Sequence, residues 1–118
     1  LNFANPVMVG HTGNFNVAVQ ACEAVDQCTK QVVEEALKKN YSIVIIADHG
    51  NSDVMVNNDG TPNTAHTTNP VPIIILDKDF DNVKNGILAD VAPTILKIMG
   101  IEKPSKMTGK YLVWKKLF

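Results

Sequence analysis

The run Tyr41-Ser42-Ile43-Val44-Ile45-Ile46-Ala47 constrains the fold more than any other stretch of the chain. It is rich in β-branched residues and carries no charge, so as a strand it is apolar on both faces. Such a strand has to be covered on both sides, as a central parallel strand is when helices pack above and below it. A helical pattern precedes it. From Asn14 to about Lys39, the residues Phe15, Ala18, Cys22, Val25, Val32, Val33, Ala36 and Leu37 recur mostly at three- and four-residue steps, which makes one apolar stripe. Thr12-Gly13-Asn14 suits the start of this helix, and Lys38-Lys39-Asn40 suits the negative end of its dipole.

The rest of the chain continues the alternation. Residues 52–60 have room for a short helix, residues 57–63 (Asn-Asn-Asp-Gly-Thr-Pro-Asn) carry loop chemistry, and Val71 to Leu76 reads as a second strand entered through Pro70 and Pro72. Asp77 to Gly86 is polar and reads as a surface turn. Asp90-Val91-Ala92-Pro93 opens another helix, with Asp90 as its cap and Leu88, Val91, Ala92, Ile95, Leu96 and Met99 as its buried face; Gly100 ends it. Tyr111 to Trp114 is a last strand. The expected class is therefore α/β with a mainly parallel sheet, small for a complete domain.

Composition narrows the function. With 118 residues the chain is one domain or a piece of one, and its start at Leu1 without methionine implies a cut from something longer. A net charge of −1 leaves no basic footprint for nucleic acid or an anionic membrane. No apolar run approaches the roughly 20 residues of a membrane span. All 11 basic residues are lysines, so arginine, the usual bidentate clamp for phosphate, is missing. Cys22 and Cys28 lie six apart on one helix, too far for an easy disulfide. They read as free thiols of a reducing compartment, and without a signal peptide the expected location is cytoplasmic.

The chain has three histidines, His11, His49 and His66, and none lies within a helical or strand pattern. His49 directly follows the Tyr41–Ala47 strand, at the carboxyl end, where ligands bind in open parallel sheets. His11 joins it if Leu1 to Ala4 ends a strand of the same sheet, and His66 if its loop folds back over that edge. Three imidazoles with the carboxylate of Asp48 make a ligand set for Zn²⁺ or Mn²⁺. Gly50 frees the backbone to turn, and Asn51 can support a ligand from behind. Taken singly, a histidine beside a strand is more often structural than a ligand, and Asp-His-Gly is a weak motif. The weight comes from all three histidines falling in loops. No Gly-X-Ser-X-Gly elbow, P-loop or dinucleotide fingerprint is present.

Four segments occur in an order that resembles a known family: residues 2–13 (Asn-Phe-Ala-Asn-Pro-Val-Met-Val-Gly-His-Thr-Gly), Ala47-Asp48-His49-Gly50-Asn51, residues 64–72 (Thr-Ala-His-Thr-Thr-Asn-Pro-Val-Pro) and residues 89–96 (Ala-Asp-Val-Ala-Pro-Thr-Ile-Leu). Together they resemble the C-terminal part of the cofactor-independent phosphoglycerate mutases, in the alkaline phosphatase superfamily. The resemblance covers essentially residues 1–118 and implies a portion of a three-layer α/β/α metal-dependent domain. It implies two Mn²⁺ ions, with Zn²⁺ as an alternative. Asp48 and His49 would hold one, and His11 and His66 the other. The ions flank a serine that carries the phosphoryl group between two oxygens of phosphoglycerate, in glycolysis.

Two departures follow. The family has an aspartate ligand where this chain has Val7, which implies weak metal binding. The serine, the remaining ligands and the substrate-gripping arginines lie in family segments this chain does not contain, so no catalytic or substrate-binding residue is assigned to it. The implied partner is the N-terminal part of the same enzyme. The rival readings are another phosphatase, phosphodiesterase or phosphopentomutase of the superfamily, and a non-catalytic module with a decayed metal site.

Overall fold

The structure, a computed structural model, describes residues 1–116; Leu117 and Phe118 lie outside it. Helices and strands are mixed in the order α1 (Asn5–Gly10), α2 (Phe15–Lys38), β1 (Ile43–Ile46), β2 (Ile73–Leu76), β3 (Phe80–Val83), a 3-10 turn (Leu88–Asp90), α3 (Val91–Ile98) and β4 (Val113–Lys115). Two compact units result, one of residues 1–35 and 47–71, the other of residues 36–46 and 72–118.

In the first unit, Pro6 begins α1, where its missing N–H and fixed φ cost nothing. Residues 1–4 form no strand, so the condition that Leu1 to Ala4 end one is not met. Asn14 opens α2, its Oδ1 accepting the Val17 N–H at 3.2 Å. Ala18 and Met55 are the buried apolar side chains of this unit, and Asn51 is its buried polar one. The expected short helix over residues 52–60 is a series of turns instead. Asn57 N–H donates to the Thr61 carbonyl at 2.8 Å, and Asp59 Oδ1 accepts the Thr61 N–H and hydroxyl. An Asx-type turn competes with helix here.

In the second unit, α2 ends through Asn40 at φ 58°, a left-handed position asparagine tolerates, and Tyr41 N–H closes onto the Ala36 carbonyl at 3.1 Å. β1 pairs with β2 in antiparallel register, Ile43 opposite Leu76 and Ile46 opposite Ile73. β3 pairs with β4, also antiparallel, with a register shift between Phe80 and Asn82. The mainly parallel sheet read from the sequence is therefore not formed by pairs within the described residues. Parallel neighbours need a crossover, usually a helix, and the connection from β1 to β2 contains none. β3 also replaces the expected turn over Asp77 to Gly86.

Phe80, Pro93, Thr94, Leu112 and Val113 form the core of this unit. Asp90 precedes α3 but does not cap it with its side chain. Its carboxylate instead accepts the Ile87 N–H at 3.0 Å and the Lys110 N–H at 2.7 Å. Those backbone donors hold the carboxyl below its usual range. The Thr94 hydroxyl donates to the Asp90 carbonyl and accepts the Leu112 N–H at 2.9 Å. β1 and β2 are only half covered: Ile46 and Ile74 are 43% and 48% exposed.

Candidate functional site

All four residues singled out from the sequence fall in the first unit. His11 caps the carboxyl end of α1, its N–H bonded to the Val7 carbonyl at 3.1 Å. This last helical turn sets residues 7 and 11 on one face. Asp48 and His49 follow β1 directly in the chain. His66 lies in the loop before β2.

The three rings converge. His49 and His66 stack, with centroids 3.7 Å apart and planes 17° from parallel. His11 and His66 have centroids 5.1 Å apart, tilted by 40°. Asp48 Oδ1 is 3.7 Å from His49 Nε2. His66 thus sits between the other two, and its loop does fold back to His49.

Hydrogen bonds set the tautomers. His11 Nδ1 is 2.7 Å from the Thr64 carbonyl, and His49 Nδ1 is 3.2 Å from the Gly50 carbonyl. A carbonyl only accepts, so each Nδ1 carries a proton, and in a neutral ring Nε2 then holds the lone pair. That is the form in which imidazole binds a metal, with the other nitrogen anchored to a carbonyl. The donor chemistry therefore fits a divalent ion. The number of donors at any one point does not. Among the described residues, no three His, Cys, Asp or Glu side chains are arranged to hold one ion. Stacked rings direct their in-plane lone pairs side by side, so His49 and His66 are poorly placed to share an ion.

Asn51 is buried, 6% exposed. Its Nδ2 donates to the Ala65 carbonyl at 3.2 Å, while its Oδ1 is buried without a partner. A Cβ on Gly10 would fall 1.7 Å from that oxygen, so only glycine leaves it room. Sequence reading anticipated support from Asn51 but missed Ser52 and Asp53. The Ser52 hydroxyl donates to the Pro6 carbonyl at 3.1 Å. Asp53 accepts the Thr67 hydroxyl at 2.8 Å and Asn69 Nδ2 at 2.7 Å, which lowers its pKa. The polar run Thr67-Thr68-Asn69 was the available signal.

Against this geometry the comparisons fall into place. Residues 1–103 match the metalloenzyme superfamily, and the chain belongs to it. Among its relatives is the 2,3-bisphosphoglycerate-independent phosphoglycerate mutase of Flavobacterium johnsoniae, 58% identical over 92% of this chain and 21% of the relative. The protein of the same description from Salinibacter ruber is 59% identical over 96% of this chain and 22% of its own length. The chain thus spans about a fifth of the curated relatives it matches. A crystal structure of Leishmania mexicana phosphoglycerate mutase, determined at low cobalt concentration, superposes with a TM-score of 0.83 and 30% identity, over 98% of this chain and 24% of that one. No helix among the described residues is long and apolar enough to cross a membrane.

Proposed function

We propose that this chain supplies part of the metal site of a cofactor-independent phosphoglycerate mutase, an isomerase acting on 3-phosphoglycerate and 2-phosphoglycerate in glycolysis. The observation that carries this reading is the convergence of His11, His49 and His66 from three separate segments, two of them with Nδ1 anchored to a backbone carbonyl. Asp48 and His49 would hold one Mn²⁺ and His11 and His66 the other. The stacking of His49 on His66 supports dividing them between two ions. Bound there, the ions would neutralise phosphoryl oxygens and lower the pKa of a hydroxyl nucleophile. Val7 shares the His11 face of α1, where a carboxylate ligand would be expected, so binding should be weak. The cobalt of the solved relative and the metalloenzyme superfamily support metal dependence.

The proposal extends to context. The chain would be one portion, residues 1–118, of a three-layer α/β/α domain. The half-covered apolar strands β1 and β2 support burial of these strands against the remaining part of such an enzyme, where the mainly parallel sheet would be completed. Free, exposed Cys22 and Cys28 support a reducing, cytoplasmic location. Two observations favour a second reading, a non-catalytic module with a decayed site: Val7 itself, and the absence of a three-ligand cluster among the described residues.

Titration with Mn²⁺, followed through the histidine ring resonances, separates the two. Selective paramagnetic broadening of His11, His49 and His66 is expected, and unchanged rings would leave the decayed module. In the same preparation, interconversion of the phosphoglycerates above a contaminant control is not expected, since the chain has no candidate nucleophile in a matching motif and no arginine clamp.

A further inference from the structure

Three consecutive residues after the Asp48-His49-Gly50 turn each reach into another histidine segment. Ser52 binds the Pro6 carbonyl of α1. Asn51 and Asp53 both reach the His66 segment, one on each side of the histidine. Asn51 Nδ2 donates to the carbonyl of Ala65, the residue before His66. The Asp53 carboxylate accepts from the hydroxyl of Thr67, the residue after it, and from Asn69. Between them, Thr67 N–H donates to the Gly50 carbonyl at 2.8 Å, an isolated antiparallel bridge.

The geometry points to Asn51 and Asp53 as positioning residues that clamp residues 65–69 onto the His49 turn and so fix His66 in its stack on His49. This rests on reading the histidines as metal ligands. His66 has no backbone freedom of its own if both neighbours are tied. The ring can then stack on His49 without ordering the loop at the moment an ion arrives. The Asn51 amide is assigned without ambiguity, because only a nitrogen can face the Ala65 carbonyl. Its other end stays buried and unpaired beside Gly10, next to His11. An unpaired buried acceptor is unfavourable, so a side chain serving packing alone would be better apolar. Asn51 is the one side chain that follows the His49 turn, bonds beside His66 and packs beside His11.

The test is made first on metal-free 118-residue protein. In Asn51→Asp and Asp53→Ala, Thr67 amide exchange should accelerate several-fold, and the His66 ring should lose the upfield shift that stacking on His49 produces. Val113 amide exchange should be unchanged. Asp53→Asn retains one acceptor oxygen and should restore most of the Thr67 protection. If Asn51→Asp unfolds the chain, shown by loss of Val113 protection, Thr67→Val decides, since it removes only the hydroxyl bonded to Asp53. Unchanged His66 shift and Thr67-to-Asn69 exchange in the folded variants would overturn the inference. Cobalt(II) titration then separates it from the metal reading. Affinity should fall about tenfold in Asn51→Leu, which removes the amide without adding a carboxylate, the usual effect of losing an outer partner. A parent chain that takes up no cobalt, with the apo shifts as expected, would defeat the metal reading and leave the clamp standing.

Discussion

The two units of this chain are held by different forces. The unit carrying Phe80, Thr94 and Val113 is built from backbone pairing and apolar burial: β1 with β2, β3 with β4, and a core that encloses Val113 completely. The unit carrying the histidines has two helices but no paired strands of its own beyond isolated bridges. Side chains of Asn51, Ser52, Asp53, Asn57 and Asp59 hold its loops. The contrast shows how a chain can keep polar residues such as the histidines in loops yet confine them. Local polar bonds fix a few backbone carbonyls and amides, where apolar packing would bury the site from its ligand.

The contrast is broken most forcefully at Phe80. Phe80→Ala empties a packed core and should cost about 3–5 kcal/mol in denaturant unfolding. Met55→Ala, in the histidine-bearing unit beside an open groove lined by Phe15, Ala18 and Ser52, should fall near the low end for its type, about 2 kcal/mol. If the two cost the same, the units are equally packed and the comparison fails.

Thr94→Val sharpens it. The shape is kept, but the buried Leu112 N–H loses its acceptor, at a cost of about 1–3 kcal/mol. No effect on the unfolding midpoint would mean that Leu112 finds another partner.

Val7→Asp tests the other unit. It sets a carboxylate on the His11 face of α1 and should tighten Mn²⁺ binding on the order of tenfold, about 1.4 kcal/mol. Calorimetry on both forms decides it; equal affinity with α1 intact would show that residue 7 does not face the ion.

The smallest effect is on pH dependence. The Asp90 carboxyl is lowered by the backbone N–H groups of Ile87 and Lys110, and that of Asp53 by the side chains of Asn69 and Thr67. A carboxyl lowered by folding contributes stability that is full above its unfolded pKa of about 3.9 and is lost as pH falls through the lower folded value. Acid unfolding curves should therefore flatten at their low-pH end in Asp90→Asn. A curve superposable on the parent's would show that Asp90 is not lowered by those bonds.

Much of the fold was legible in the sequence because its causes are local. The period of Phe15 to Leu37 made α2, Asn14 capped it, and the β-branched runs before Asp48 and after Pro72 made β1 and β2. The histidines stood out as loop residues because neither period claimed them.

What sequence could not decide was non-local. β3 lies in a polar stretch, Phe80–Val83, that reads as a turn until β4, about 30 residues later, supplies its hydrogen-bond partner. The antiparallel direction of β1 and β2 depends on how the chain returns, which no residue in either strand encodes. α1 took residues read as a loop, because Pro6 and the His11 N–H satisfy its two ends. At the site, the sequence placed His11, Asp48, His49 and His66 in loops and Val7 four residues before His11. Tertiary structure alone set the Thr64 carbonyl against His11 Nδ1, stacked His66 on His49, and buried Asn51 among the three segments. A tautomer is set by which carbonyl lies opposite a ring, and a stack by which loop folds over which turn, and these partners lie up to 53 residues apart.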